Sequence, residues 1–164
     1  MKKTTYLSLG SNKGNTKKNI DLATALIAEK IGEIEGQSSY YETVAWGNPN
    51  QADFLNIVLA IKTNLSPDAI LFETQQIESV VGREPADKWS PRIIDIDILF
   101  IDNELVKKKD LEIPHPLLHE RNFVLLPMME IAPEFMHPIL NQTIEDIYME
   151  CKDECDVILL EKEN

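Results

Sequence analysis

Residues 93–101 run Ile93-Ile94-Asp95-Ile96-Asp97-Ile98-Leu99-Phe100-Ile101. β-Branched and aromatic side chains dominate the stretch, and its charges fall on alternate positions, which predicts a strand. Side chains two apart on a strand share a face, so Asp95 and Asp97 project together while Ile94, Ile96 and Ile98 fill the other side. Working outward, residues 66–81 carry the clearest helix start in the chain: Ser66 as cap, Pro67 in the first turn and Asp68 near the positive end of the dipole, with Gly82 as the stop. Residues 54–63 place Leu55, Ile57, Leu59 and Ile61 on alternate positions and read as a strand, as do residues 38–45 before them. The polar, turn-rich run 46–51 between these two reads as a loop. Further upstream a strand over 4–9 turns at Gly10-Ser11-Asn12. A helix then starts near Thr16 behind an Asn15 cap, carries Ile20, Ala23, Ile27 and Ile31 at helical spacing, and ends at Gly32 and Gly36.

The order strand, helix, strand, strand, helix, strand predicts an α+β fold. It is the ferredoxin-like βαββαβ arrangement, an antiparallel sheet with both helices on one face. A C-terminal extension follows: an irregular stretch around Pro114-His115-Pro116, an apolar helix over about 123–131 and a last helix from about Thr143. Residues 1–164 read as one domain, without repeat, linker or low-complexity segment.

Composition narrows the function. With 28 acidic against 16 basic residues, the net charge of −12 argues against broad binding to nucleic acid or to anionic membranes. No run approaches the ~20 apolar residues that cross a bilayer, and the N-terminus lacks the apolar length of a signal peptide, so a cytoplasmic monomer acting on small molecules is expected. Cys151 and Cys155 have no further Cys or His close by in sequence to complete a zinc site and read as reduced, incidental thiols.

Two carboxylates side by side repel unless a cation lies between them, and magnesium suits the pair because it leaves coordination places for water and phosphate. The plain alternative is the polar outer face of a half-exposed strand. The neighbours favour the metal. Arg83, Lys88 and Arg92 stand upstream, His115 and Arg121 downstream, and cations bracketing an acidic pair make sense around a phosphate chain. Gln75 and Glu78 share a helix face that is either nucleotide-binding or simply wet. Gly10-Ser11-Asn12-Lys13-Gly14 matches neither a P-loop nor a dinucleotide fingerprint. His119 and His137 carry no assignment.

The segment Trp89-Ser90-Pro91-Arg92-Ile93-Ile94-Asp95-Ile96-Asp97 resembles the signature of the 6-hydroxymethyl-7,8-dihydropterin pyrophosphokinases, enzymes of folate biosynthesis. The likeness covers almost the whole chain. It includes Leu9-Gly10-Ser11-Asn12, Tyr41-Glu42-Thr43, Asp53-Phe54-Leu55-Asn56, Pro114-His115-Pro116 and His119-Glu120-Arg121-Asn122-Phe123. The resemblance implies transfer of pyrophosphate from ATP, the co-substrate, to the hydroxymethyl group of the pterin, with release of AMP. It further implies two Mg2+ ions on Asp95 and Asp97. Gln75, Glu78, Arg83, Lys88, Arg92, Ile98, His115 and Arg121 would lie on the nucleotide side, with Arg92 and His115 as catalytic phosphate contacts. On the pterin side it implies Phe54 and Phe123 around the ring, Asn56 on its polar edge, backbone groups over Thr43, Val44 and Trp46, and Trp89 and Asp95 nearby. Asp97 is the candidate general base, by position only.

The chain departs from the family pattern at Glu84-Pro85-Ala86-Asp87, where many relatives carry basic residues, and at Phe54, where many have Tyr. The loop over 83–91 is expected to close over the substrates, carrying Trp89. The rival readings are a silent ferredoxin-like binding module and a metal-dependent phosphatase or nuclease. Arg92, Asp95, Asp97 and His115 together count against the first, and the set Phe54, Asn56 and Phe123 against the second.

Overall fold

Strand β1 (Lys3–Ser11) is buried along nearly its whole length, because it pairs antiparallel on both sides. One neighbour is β4 (Phe54–Thr63), the other β5 (Asp95–Ile101). Helix α1 (Thr16–Lys30) follows β1, and Asn15 caps it by accepting from the Lys18 N–H. Next come β2 (Glu33–Gln37) and β3 (Tyr41–Thr43), both paired with β4, then α2 (Pro67–Val81), capped by Ser66 as its sequence requires. This is a ferredoxin-like antiparallel sheet. It is a computed structural model, and it describes residues 2–43, 52–83 and 91–160.

The expected strand over 38–45 is corrected. Residues 33–37 form β2, Ser38 to Tyr40 lie between strands, β3 covers only 41–43, and residues 44 and 45 fall outside the described ones. Gly32 ends α1, yet its deeper reason is contact: a Cβ there would stand 2.1 Å from the Lys62 carbonyl oxygen of β4. The chain passes too close to the sheet for any side chain.

Beyond β5 a short hairpin, β6 (Val106–Lys107) and β7 (Glu112–Ile113), leads to a single 3-10 turn over Leu118–Glu120. Helix α3 (Asn122–Ile131), helix α4 (Ile144–Glu150) and strand β8 (Val157–Leu159) complete the extension. β8 pairs with β3, so the sheet order is β5-β1-β4-β3-β8, with β2 also on β4.

Each face of the sheet has its own core. Ile20, Ala23 and Ile27 of α1 with Ile70 and Ile77 of α2 pack on Leu7, Leu9, Ile57, Leu59, Ile96 and Ile98. Both helices therefore cover one face, as expected. On the opposite face Val124, Leu125 and Met128 of α3 and Ile144 and Ile147 of α4 pack on Tyr6, Val58, Leu99 and Phe100.

A β-bulge shifts the phase of this division within β5. Tyr6 opposes Phe100 and Leu7 opposes Ile98, so Leu99 is the extra residue. Before the bulge Ile96 and Ile98 point to the α1/α2 face. After it Phe100 points to the α3/α4 face and Ile101 to the α1/α2 face.

Candidate active site

Alternation along the strands places Asp95 and Asp97 on the α3/α4 face, the side opposite Ile96 and Ile98. Register then sets their neighbours. Across four strands Tyr41 opposes Asn56, Asn56 opposes Gly10, and Gly10 opposes Asp95. In the next row Val58 opposes Ser8 and Ser8 opposes Asp97. A glycine thus separates Asn56 from Asp95 and leaves an open floor. A Cβ at Gly10 would lie 2.9 Å from Asn56 Oδ1 and 3.5 Å from Phe54 Cδ1.

At the acidic end, Asp95 Oδ1 lies 3.4 Å from an Arg83 nitrogen and 3.4 Å from Arg92 Nη1. Arg83 Nη1 also donates to Glu78 Oε2 at 2.7 Å. The Glu78 carboxylate is buried and accepts the Ile96 N–H at 2.9 Å. β5 is an edge strand, so this bond satisfies a backbone donor that the sheet leaves open. Farther along the same edge, the His115 N–H donates to the Leu99 carbonyl at 3.0 Å, using the oxygen of the bulge. His115 Nδ1 accepts the Leu117 N–H at 3.2 Å. Its proton therefore sits on Nε2, which is left as a donor.

Burial dominates the electrostatics. It raises Glu78 to about 7 against the lowering pull of the Ile96 N–H and Arg83, with Asp95 and Asp97 adding to the rise. Asp95 is raised by burial and then by Asp97, opposed by Arg83, Arg92 and Arg121. His115 is lowered, chiefly by burial and against the pull of Asp97, so it is neutral near pH 7.

A cleft of about 330 Å3 opens beside this end, lined among others by Leu71, Asp97, Ile98, Lys108, Leu111 and His115. Ile98 and His115 of the expected nucleotide set line it. Gln75 is exposed on α2, whereas Glu78 turns inward, so the two do not form one wet face. The side chains of Arg83 and Arg92 are largely covered. Arg121 lies with its guanidinium carbon 5.6 Å from the centre of the Phe123 ring.

At the other end Asn56 and Thr43 are 3% exposed, yet Asn56 Nδ2 and Thr43 Oγ1 have no hydrogen-bond partner among the described residues. Buried polar atoms are almost always paired, so these two orphans, diagonal to each other on adjacent strands, make a candidate place for a ligand. Phe54 shares this face two residues from Asn56, and half-buried Phe123 opens α3. Val44, Trp46, Lys88 and Trp89, with the closing loop assigned to 83–91 from residue 84 to 90, lie outside the described residues.

Sequence reasoning missed the hub of this arrangement. Asn12, read as a tight turn, is buried and accepts the Arg92 N–H at 2.6 Å on Oδ1. Its own N–H donates to the Arg92 carbonyl at 2.9 Å, and its Nδ2 donates to the Ala52 carbonyl at 3.1 Å. It thereby fastens the entry of β5 to the entry of β4. The Leu9-Gly10-Ser11-Asn12 motif held that signal, although only the sheet register gives it a meaning.

An open floor with an acidic, arginine-flanked end and a hydrogen-bonding end suits a phosphotransferase on a ferredoxin-like sheet. Within that class, the chain belongs to the 7,8-dihydro-6-hydroxymethylpterin-pyrophosphokinase (HPPK) family, whose model matches residues 6–133. It is 43% identical over 143 residues to the 2-amino-4-hydroxy-6-hydroxymethyldihydropteridine pyrophosphokinase of Aquifex aeolicus, covering 87% of this chain and 89% of that protein. To the Bacillus subtilis enzyme of the same name it is 41% identical over 130 residues, covering 79% and 78% of the two chains. Among solved structures, wild-type Plasmodium falciparum HPPK-DHPS with pteroate superposes with a TM-score of 0.76 at 19% identity. That match covers 92% of this chain and 42% of the longer one, and it speaks for the fold.

Proposed function

We infer that the two ends of the floor receive the two substrates of the family's reaction. The enzyme transfers pyrophosphate from ATP to the hydroxymethyl group of 6-hydroxymethyl-7,8-dihydropterin and releases AMP, a step of folate biosynthesis. The row Asn56–Gly10–Asp95 carries the reading. In this reading a niche for a flat polar ring would lie one glycine away from a carboxylate suited to a phosphate-bound metal.

The donor set fits magnesium. Asp95 and Asp97 share one face, and among the described residues no cluster of three or more potential ligands offers a full protein cage. Magnesium takes one or two carboxylates and keeps water and phosphate oxygens for the rest. Two ions there would neutralise charge on the transferring phosphates. Arg83 and Arg92 would turn from Asp95 to phosphate oxygens, His115 would donate from Nε2, and Arg121 would add a further positive charge. The nucleotide would lie along the cleft beside Ile98, with Gln75 and Lys88 as outer contacts. Asn56 Nδ2 and Thr43 Oγ1 would pair with the pterin's polar edge, Phe54 and Phe123 would hold its faces, and residues 44, 46 and 89 would complete the wall.

The test is product analysis. AMP should form only when ATP, magnesium and the hydroxymethyl dihydropterin are all present. Release of ADP or inorganic phosphate instead would sink the assignment.

A further inference from the structure

We propose that Asp153, in the C-terminal tail, is a positioning residue for pterin binding, acting through the N-terminus of α3. Helix α3 begins without a cap of its own: no side chain of Arg121 serves as one, and its first turn carries no acid. The first backbone donors of a helix need acceptors, and negative charge is favoured there. Asp153 supplies both from 31 residues away, its Oδ2 accepting the Asn122 N–H at 2.8 Å. The grip is two-sided, because Asn122 Nδ2 donates back to the Asp153 carbonyl at 2.8 Å. Asp153 Oδ1 accepts the Cys155 N–H at 2.9 Å, which fixes the carboxylate within its own turn.

The tail then crosses to the other wall. Val157, Ile158 and Leu159 pair with Thr43, Glu42 and Tyr41, and the Leu160 N–H donates to the Tyr40 carbonyl at 2.9 Å. One short stretch of chain therefore binds the start of α3, which presents Phe123, to β3, which presents Thr43. It sets the spacing between two sides of the pterin niche. This strap lies outside residues 6–133, the part matched by the family model.

The proposal rests on the assignment of Phe123 to the pterin, and the experiment separates the two. Steady-state AMP release by the full chain would give the KM for pterin and for MgATP in Asp153→Ala, Asp153→Asn, Phe123→Ala and the double variant Asp153→Ala/Phe123→Ala. Loss of a capping acceptor is expected to raise the pterin KM about five- to tenfold in Asp153→Ala. The KM for MgATP should stay within about twofold, because the Arg121 backbone is held from its other side by its N–H to the Leu118 carbonyl. Asp153→Asn keeps an acceptor oxygen and should restore the pterin KM. In the double variant, loss of Asp153 should add nothing to loss of Phe123.

If the alanine variant does not fold, Asp153→Glu takes its place. It keeps the charge but displaces the carboxylate by one methylene, and it should raise the pterin KM where Asp153→Asn does not. An unchanged pterin KM, an equal rise for both substrates, or additive effects in the double variant would overturn the strap and leave the site assignment standing. An unchanged pterin KM in Phe123→Ala would overturn both.

Discussion

The two ends of the floor treat their buried polar groups in opposite ways. At the Asp95 end the buried charge is answered within the protein: Arg83 sits between Glu78 and Asp95, and Arg92 closes on Asp95 from the strand entry. At the Asn56 end, Asn56 Nδ2 and Thr43 Oγ1 are buried without partners among the described residues. A buried orphan costs about 1–3 kcal/mol, so under the proposed assignment this end would gain a partner when pterin binds. In the proposed reaction the Asp95 end would work by exchange, phosphate oxygens taking the arginines over from Asp95. The 3.4 Å contacts to Asp95, longer than a charge-assisted hydrogen bond, suit partners that must let go.

The most severe way to break the phosphate end is to remove its carboxylates. Asp95→Ala or Asp97→Ala should keep the fold, judged by circular dichroism, and lose about a thousandfold or more in turnover. A folded variant with near-normal turnover would refute the metal-binding role.

The pterin end should respond with opposite signs in binding and stability. Asn56→Leu should weaken pterin binding by about 1–3 kcal/mol, roughly ten- to a hundredfold, while the free protein unfolds at a higher temperature because the orphan is gone. A fall in both quantities would show that Asn56 is a structural residue. Gly10→Ala is a milder probe of the same floor. Its methyl would press on Asn56 Oδ1 from 2.9 Å, so the pterin KM should rise about tenfold with the KM for MgATP unchanged. Equal effects on both substrates would mean that the row has no ends to tell apart.

The smallest effect concerns the exchange end without ligand. The Glu78 carboxyl is raised from 4.5 to about 7 in the folded chain. Between those values the folded chain holds a proton that the unfolded chain has released. The stabilising contribution is therefore complete below about pH 4.5 and is lost as pH rises through about 7. Urea midpoints of the metal-free protein at pH 5 and pH 8 should show this slope, and Glu78→Gln should flatten it. A slope unchanged in Glu78→Gln would assign it to another group.

What was legible in the sequence follows the same physics. β4 alternates cleanly and α2 has its cap written in Ser66 and Pro67, so their bounds are readable from local pattern. β2 is Glu33-Ile34-Glu35-Gly36-Gln37, polar, preceded by Gly32 and interrupted by Gly36, and it is a strand only because β4 offers it a backbone. β8 owes its existence to β3 in the same way. In the site, the type and spacing of Asp95, Asp97, Arg92 and His115 point to phosphate chemistry before any fold is known. The inward turn of Glu78 was hidden, since the Ile96 N–H becomes an open donor only once β5 is an edge. Asn12 and Asp153 were hidden for a related reason: they act on backbone groups far away in sequence, which side-chain patterns do not report.

The bulge at Leu99 gives β5 a change of phase. Upstream, odd-numbered residues, Asp95 and Asp97 among them, face the α3/α4 side and even-numbered ones face α1 and α2; downstream that parity is reversed, with Phe100 on the α3/α4 side. The strand is thus two phases spliced at one residue, each with its own share of the core. Deleting Leu99 would restore plain alternation, with the acidic pair still in frame with Gly10 and Ser8 and Phe100 still opposite Tyr6; it would remove an apolar side chain from the α3/α4 core and the bulge whose carbonyl accepts the His115 N–H. The upstream half also carries Ile96 and Ile98 into the α1/α2 core, so only its odd-numbered positions can change without touching that packing.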